Sequence, residues 1–143
     1  MKAGRAEIEV QLPHRDPFLF VDEVEVVGPH DIKAKRTWTG DEFFFKGHFP
    51  SYPVVPGVIL VETMAQAGGV GVKLMGIATA AIFFLVSIHN VKFRRQVRPG
   101  DVFDIEIRNL RASPRLVKQR GLGYVNGELA VEAEWLAIAK DES

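Results

Sequence analysis

Three positions between residues 48 and 62 carry side chains or backbone suited to moving a proton next to a carbonyl. Glu62 stands in the second turn of a segment, Val58 to Met75, that is otherwise almost wholly apolar. An unpaired carboxylate is costly to bury, so this one must be neutral, paired or facing a cavity. Gln66 follows one helical turn later on the same face and can orient it by a hydrogen bond. The competing reading of Glu62 is a structural carboxylate bonded to backbone. His48 falls in Lys46-Gly47-His48-Phe49-Pro50. A lone histidine is most often structural, and this is one of four, with His14, His30 and His89. Its setting between Gly and Pro, shortly before a helix start, marks it as a proton acceptor near neutral pH. Gly57 opens the helix. The first N–H groups there have no partner within the helix, and a glycine lets a ligand oxygen come close to them. A carbonyl turning into an enolate is stabilised at such a spot; a plain Pro-Gly helix start is the alternative. Together the three amount to a base, an acid and an oxyanion donor around one helix start.

The surrounding pattern predicts the elements that hold them. Pro13 and Pro17 bracket a turn or short helix. Phe18 to Val27, rich in Val and Phe, reads as a strand, and Ile32 to Thr39 as its returning partner after the Gly28–Asp31 turn. Gly40 to Pro56 is a long irregular loop, a length that is usually functional. Val58 to about Met75 is a helix without a polar face, hence buried. Gly68, Gly69 and Gly71 weaken it by about 1 kcal/mol each relative to Ala and permit close approach of the sheet or of a partner's backbone. Ala81 to Val91 is an apolar strand. Phe103, Ile105 and Ile107 alternate with charged residues. Leu116 to Val125 leads through Asn126-Gly127, a strong hairpin signal, into the alternating Leu129 to Trp135. The expected fold is α+β: a curved antiparallel sheet of about six strands wrapped around one central buried helix.

The chain has 143 residues, 47% hydrophobic and 25% charged, which fits one soluble domain spanning residues 1–143. Eighteen basic residues balance eighteen acidic ones, so the basic footprint of a nucleic-acid binder is absent. The balance hides an asymmetry. Lys92 to Arg120 holds nine basic residues against three acids, while Glu128 onward holds five acids and one lysine. This reads either as solvated strand faces or as a basic patch for an anionic partner. No cysteine is present, which excludes disulfides, a thiolate nucleophile and cysteine-bound metal. No secretory signal is visible at the N-terminus. The apolar run from Val54 to Met75 is broken by Pro56, Glu62, Gln66 and Lys73 and is no membrane span. A cytoplasmic location is expected.

Four segments resemble the bacterial (3R)-hydroxyacyl-acyl-carrier-protein dehydratases, enzymes of the hot-dog fold. They are Leu12-Pro13-His14-Arg15 with Pro17-Phe18-Leu19 and Val21-Asp22; Gly47-His48-Phe49-Pro50 with Pro53 and Pro56-Gly57-Val58; Glu62 with Ala65-Gln66-Ala67; and Asn90 to Arg95 with Val97 and Pro99-Gly100-Asp101. The likeness runs from about Leu12 to Ala139. It implies His48 and Glu62 as the catalytic pair and Gly57 as the N–H that holds the thioester oxygen. It implies Phe49, Pro56, Val58, Gln66, Phe83 and Phe84 around the substrate; ordinary strand core is the other reading of the two adjacent phenylalanines. Lys92, Arg94 and Arg95 are the residues it offers for docking acyl carrier protein, with solvated strand ends as the alternative. No metal and no organic cofactor is implied, the substrate riding on the carrier's phosphopantetheine.

The resemblance further implies a homodimer whose sites take His48 from one chain and Glu62 from the other, with trimers of dimers as a further assembly. A glutamate at position 62, where the related dehydratase-isomerases typically have Asp, favours simple dehydration. Asp16 replaces a common Tyr, Ser51-Tyr52 a pair that is often Gly and a basic residue, and His89 a frequent Asp. These departures bear on substrate range and tunnel gating, and leave a related lipid or polyketide-like pathway open. A hot-dog thioesterase and a non-catalytic acyl-thioester-binding module are the competing functions.

Overall fold

A computed structural model describes residues 1–80 and 82–141. Seven antiparallel strands form one sheet: β1 (Lys2–Ala3), β2 (Glu23–Val26), β3 (Asp31–Thr37), β4 (Ile82–Phe93), β5 (Val102–Ala112), β6 (Leu116–Val125) and β7 (Glu128–Lys140). Their spatial order is β1-β2-β3-β5-β6-β7-β4. Helix α2 (Gly57–Leu74) lies against β2, β3, β5, β6 and β7. This is the expected hot-dog architecture, with β1 as the strand beyond six. The N-terminal residue of the expected Ala81–Val91 strand lies outside the described residues; the rest of it is β4.

α2 is buried from Leu60 to Val72 over most of its surface because the sheet curls around it, while Val58 in its first turn is exposed. Leu60, Val61, Met64, Ala67 and Val70 enter a core that includes Phe20, Trp38, Phe103 and Trp135. Burying side chains of this size contributes roughly 1.5–3 kcal/mol each. The helix glycines have a specific cause. A Cβ on Gly71 would stand 2.2 Å from Ile32 Cδ1, and one on Gly68 2.1 Å from Gln119 Oε1. Sheet side chains therefore sit where a larger helix residue would be. Gln119 ties the layers together: its amide donates to Gly68 O and Asn109 Oδ1, and it accepts from Trp135 Nε1.

The hairpins follow the pattern. β5 and β6 pair along most of their length, and β6 meets β7 through Asn126-Gly127, both at positive φ. One expected strand is shorter. Only Glu23–Val26 of Phe18–Val27 forms ladder pairs. Leu19, Phe20 and Val21 turn into the core instead. A helix side chain takes up part of the backbone bonding: Phe20 N–H donates to Gln66 Oε1 at 2.9 Å and Phe18 O accepts from Gln66 Nε2 at 2.9 Å. The residues before Pro13 contain a short helix that periodicity did not reveal, α1 (Arg5–Gln11), which buries only Ile8.

The charge asymmetry finds a structural partner. β4 lies beside β7, so the basic stretch meets the acidic one: Arg94 Nε stands 2.9 Å from Glu132 and Arg95 3.2 Å from Glu128. The other long edge of β4 is open. Phe84, Val86, Ile88 and Phe93 are each about half exposed along it.

Candidate active site

The loop before α2 is pinned at its start. Arg36, buried in β3, donates to Glu42 Oε2 at 2.7 Å, and Thr39 and Gly40 N–H groups donate to the same carboxylate. Burial pushes the Glu42 pKa up, but these hydrogen bonds outweigh it and hold the group below its ordinary value. Phe44 and Phe45 then insert into the core, in a 3-10 turn over Phe43–Lys46. The turn delivers His48, whose N–H donates to Phe44 O at 3.0 Å.

The imidazole of His48 is held by the far end of the same loop. Nδ1 lies 3.2 Å from Val54 O, and Val54 N–H donates back to His48 O at 2.9 Å. A carbonyl oxygen only accepts, so Nδ1 carries a hydrogen, and in the neutral ring Nε2 is the accepting nitrogen. Phe49 stacks on the imidazole at 4.4 Å between centroids. The ring opens onto a cleft of about 400 Å³ lined also by Pro56, Gly57, Val58, Phe93 and Arg95.

Gly57 forms the floor of that cleft. Among the described residues no acceptor takes its N–H or that of Val58, and Pro56 offers no side-chain cap. The Phe93 ring rests on the glycine so closely that a Cβ there would lie 2.7 Å from it. The helix start thus presents donors without an acceptor among the described residues in the cleft that His48 lines, at the positive end of the helix dipole.

Glu62 opens elsewhere. It faces a cavity of about 170 Å³ with Gln66, His14, Phe83, Phe84 and Gln119. Burial pushes its carboxyl above the ordinary value, against a smaller opposing effect from the Gln66 hydrogen bond. Gln66 Nε2 donates to Glu62 Oε2 at 2.8 Å. The aliphatic and aromatic walls suit an acyl chain, and Gln119 and Trp135 are part of the lining.

The expected residues therefore fall into two groups. His48, Pro56, Gly57 and Val58 share one cleft, with Phe49 stacked beside it; Glu62, Gln66, Phe83 and Phe84 share another. Within one chain the two clefts have no lining residue in common. Of the basic trio, Arg95 borders the His48 cleft, Arg94 is paired with Glu132, and Lys92 lies exposed on β4. His14 is the site residue the pattern did not single out: its Nε2 is 3.6 Å from Glu62 Oε2. The signal available for it was the Pro13–Pro17 bracket, which forces a turn but says nothing of where the ring goes. Among the described residues no cluster of three or more His, Cys, Asp or Glu could hold a metal ion. Nor is any helix there long and apolar enough to cross a membrane.

Comparison with known proteins adds to this geometry. The model of the FabA-like domain matches residues 12–134. The chain is 43% identical over 136 residues to the 3-hydroxyacyl-[acyl-carrier-protein] dehydratase FabZ of Caulobacter vibrioides, covering 93% of this chain and 86% of that protein. Among solved structures, the dehydratase heterocomplex ApeI:P of Xenorhabdus doucetiae aligns with a TM-score of 0.78 at 22% identity, covering 94% of this chain and 91% of that one. A hypothetical thioesterase of Streptococcus pneumoniae, solved with coenzyme A, aligns with a TM-score of 0.62 at 8% identity over 96% and 94% of the two chains. The last two are likenesses of fold alone, and that fold serves more than one chemistry.

Proposed function

The chain belongs to the FabA-like domain family, and on that premise we propose that it dehydrates (3R)-3-hydroxyacyl groups carried on acyl carrier protein. The product is the trans-2-enoyl thioester, within fatty acid synthesis or a related lipid or polyketide-like pathway, in the cytoplasm. The observation that carries this reading is a pair of contrasting environments. His48 Nδ1 faces the Val54 carbonyl oxygen, which leaves Nε2 as the ring nitrogen able to accept a proton, and Glu62 sits where burial favours its neutral acid.

His48 Nε2 takes the proton from C2 of the substrate. The electron pair moves toward the thioester oxygen, which the Gly57 N–H holds as charge builds. The pair then returns to form the C2–C3 double bond, and the C3 hydroxyl leaves with the proton of Glu62 as water. His48 then holds one extra proton and Glu62 lacks one, so the enzyme resets by a net transfer between them through solvent. No metal or organic cofactor enters this scheme.

One chain keeps His48 and Glu62 in separate clefts, so the reading requires two. The open apolar edge of β4 supports a homodimer in which two such edges pair across a twofold axis. The base and oxyanion donor of one chain then face the acid and acyl cavity of the other, and pairs can assemble further into trimers of dimers. Lys92, Arg94 and Arg95 supply positive charge near the His48 cleft for the acidic carrier protein and its phosphate arm.

The test is turnover of 3-hydroxyacyl carrier-protein substrates followed by mass spectrometry. Loss of one water with the thioester intact is expected. Release of free thiol identifies a thioesterase, and binding without turnover a non-catalytic acyl-binding module.

A further inference from the structure

The geometry points to His14 as a positioning residue that, with Gln66, confines the proton of Glu62 to Oε1. This rests on Glu62 being the acid of the dehydration.

The orientation of Gln66 is unambiguous. Its Oε1 accepts from Phe20 N–H, so its Nε2 is the atom that donates to Phe18 O and to Glu62 Oε2. Oε2 is therefore the accepting oxygen of the carboxyl. His14 Nε2 approaches that same oxygen at 3.6 Å, beyond hydrogen-bond length but close enough for its dipole to count. The other ring nitrogen, Nδ1, is buried with no partner among the described residues. A buried N–H without an acceptor is the costly orphan, so the hydrogen belongs on Nε2 and Nδ1 is bare. The charged groups around His14 are Glu62 and Lys73 from α2 and Arg15 from its own segment; burial first, then Lys73 and Arg15, lowers its pKa and keeps the ring neutral.

Two N–H dipoles therefore converge on Oε2 and leave Oε1 to carry the transferable proton. The same dipoles stabilise the carboxylate that forms when the proton leaves. Removing one makes Glu62 a weaker acid: its pKa rises, and the basic limb of the pH–rate profile, which reports loss of that proton, moves to higher pH.

His14→Phe keeps the ring volume and removes the N–H; His14→Gln keeps a donor. The intact wild-type chain serves for a ¹⁵N NMR measurement of the His14 tautomer, independent of turnover and of whether either variant folds. The Nε2–H form is expected. For His14→Phe, kcat falls about tenfold with KM nearly unchanged, and the basic limb shifts upward. For His14→Gln, most of kcat is retained and the limb stays in place. An Nδ1–H tautomer overturns the inference. So does an unmoved limb in His14→Phe, a change in KM alone, or a His14→Gln no better than His14→Phe. A wild-type chain that dehydrates nothing overturns instead the reading of Glu62 as an acid, whatever the tautomer.

Discussion

Nδ1 of His48 lies 3.2 Å from the main-chain oxygen of Val54. The contact spans the loop that Phe49 to Pro53 forms between them, and His48 lines the same cleft as the Gly57 helix start. His48 and Gly57 thus share one cleft before any substrate arrives, so in the proposed mechanism little is spent on ordering base and oxyanion donor during reaction.

His48→Ala removes the proposed base without touching the core. Dehydration falls by about 10²–10⁴-fold, with the circular dichroism spectrum and melting temperature close to wild type. Retention of most turnover in steady-state assays would place the base elsewhere.

Glu62→Gln trades activity for stability. Glu62 titrates above the ordinary glutamate value of 4.5 in the folded chain. Below that value it is neutral in both states. As pH rises past it, the unfolded chain ionises first, and the native state loses stability until the raised native value is reached. The glutamine has no such loss. Its melting temperature therefore gains on wild type as pH rises from about 4 toward neutrality, while turnover nearly vanishes. Thermal melts running parallel across that range would show that Glu62 carries no ionisation penalty.

Gly71→Ala raises helix propensity yet destabilises the protein, by about 1–3 kcal/mol, because its Cβ would overlap Ile32 Cδ1 and Cγ1. Adding Ile32→Ala removes the overlap. Chemical denaturation should then show the alanine at 71 harmless in the double variant relative to Ile32→Ala alone. Equal destabilisation in both backgrounds would mean the helix glycine has another cause.

Val86→Lys puts charge on the exposed face of β4, at its open edge, where Val86 is about half exposed and makes no ladder pair with β7. Light scattering should show a dimer turning into monomer, with activity lost in step. A dimer that survives, fully active, would move the interface off this edge.

Much of this was legible in the residues. The absence of a polar face on α2 announces burial, and Asn126-Gly127 announces its hairpin, because both rest on local rules. Glu62 stands out for the same reason: one acid on a helix with no wet side. What stayed hidden depends on distant partners. Phe18 to Val21 has strand composition, but Phe20 N–H and Phe18 O bond Gln66, some 46 residues away, and the strand starts only at Glu23. The pairing of Arg94 with Glu132 and of Arg95 with Glu128 offsets part of the apparent basic patch, and only the β4–β7 neighbourhood reveals it. His14 meets Glu62 across a turn whose course no periodicity specifies. The division into two clefts is a property of the folded chain, although a shared site between two copies was expected from the resemblance.

Subunit mixing tests that shared site most directly. Inactive His48→Ala and inactive Glu62→Gln proteins are combined, allowed to exchange subunits, and assayed for 3-hydroxyacyl carrier-protein dehydration with the heterodimer fraction measured by native mass spectrometry. Each heterodimer regains one intact site of two, so random pairing restores about a quarter of wild-type turnover. Confirmed heterodimers with no recovered activity would contradict the account, because base and acid would then have to come from the same chain.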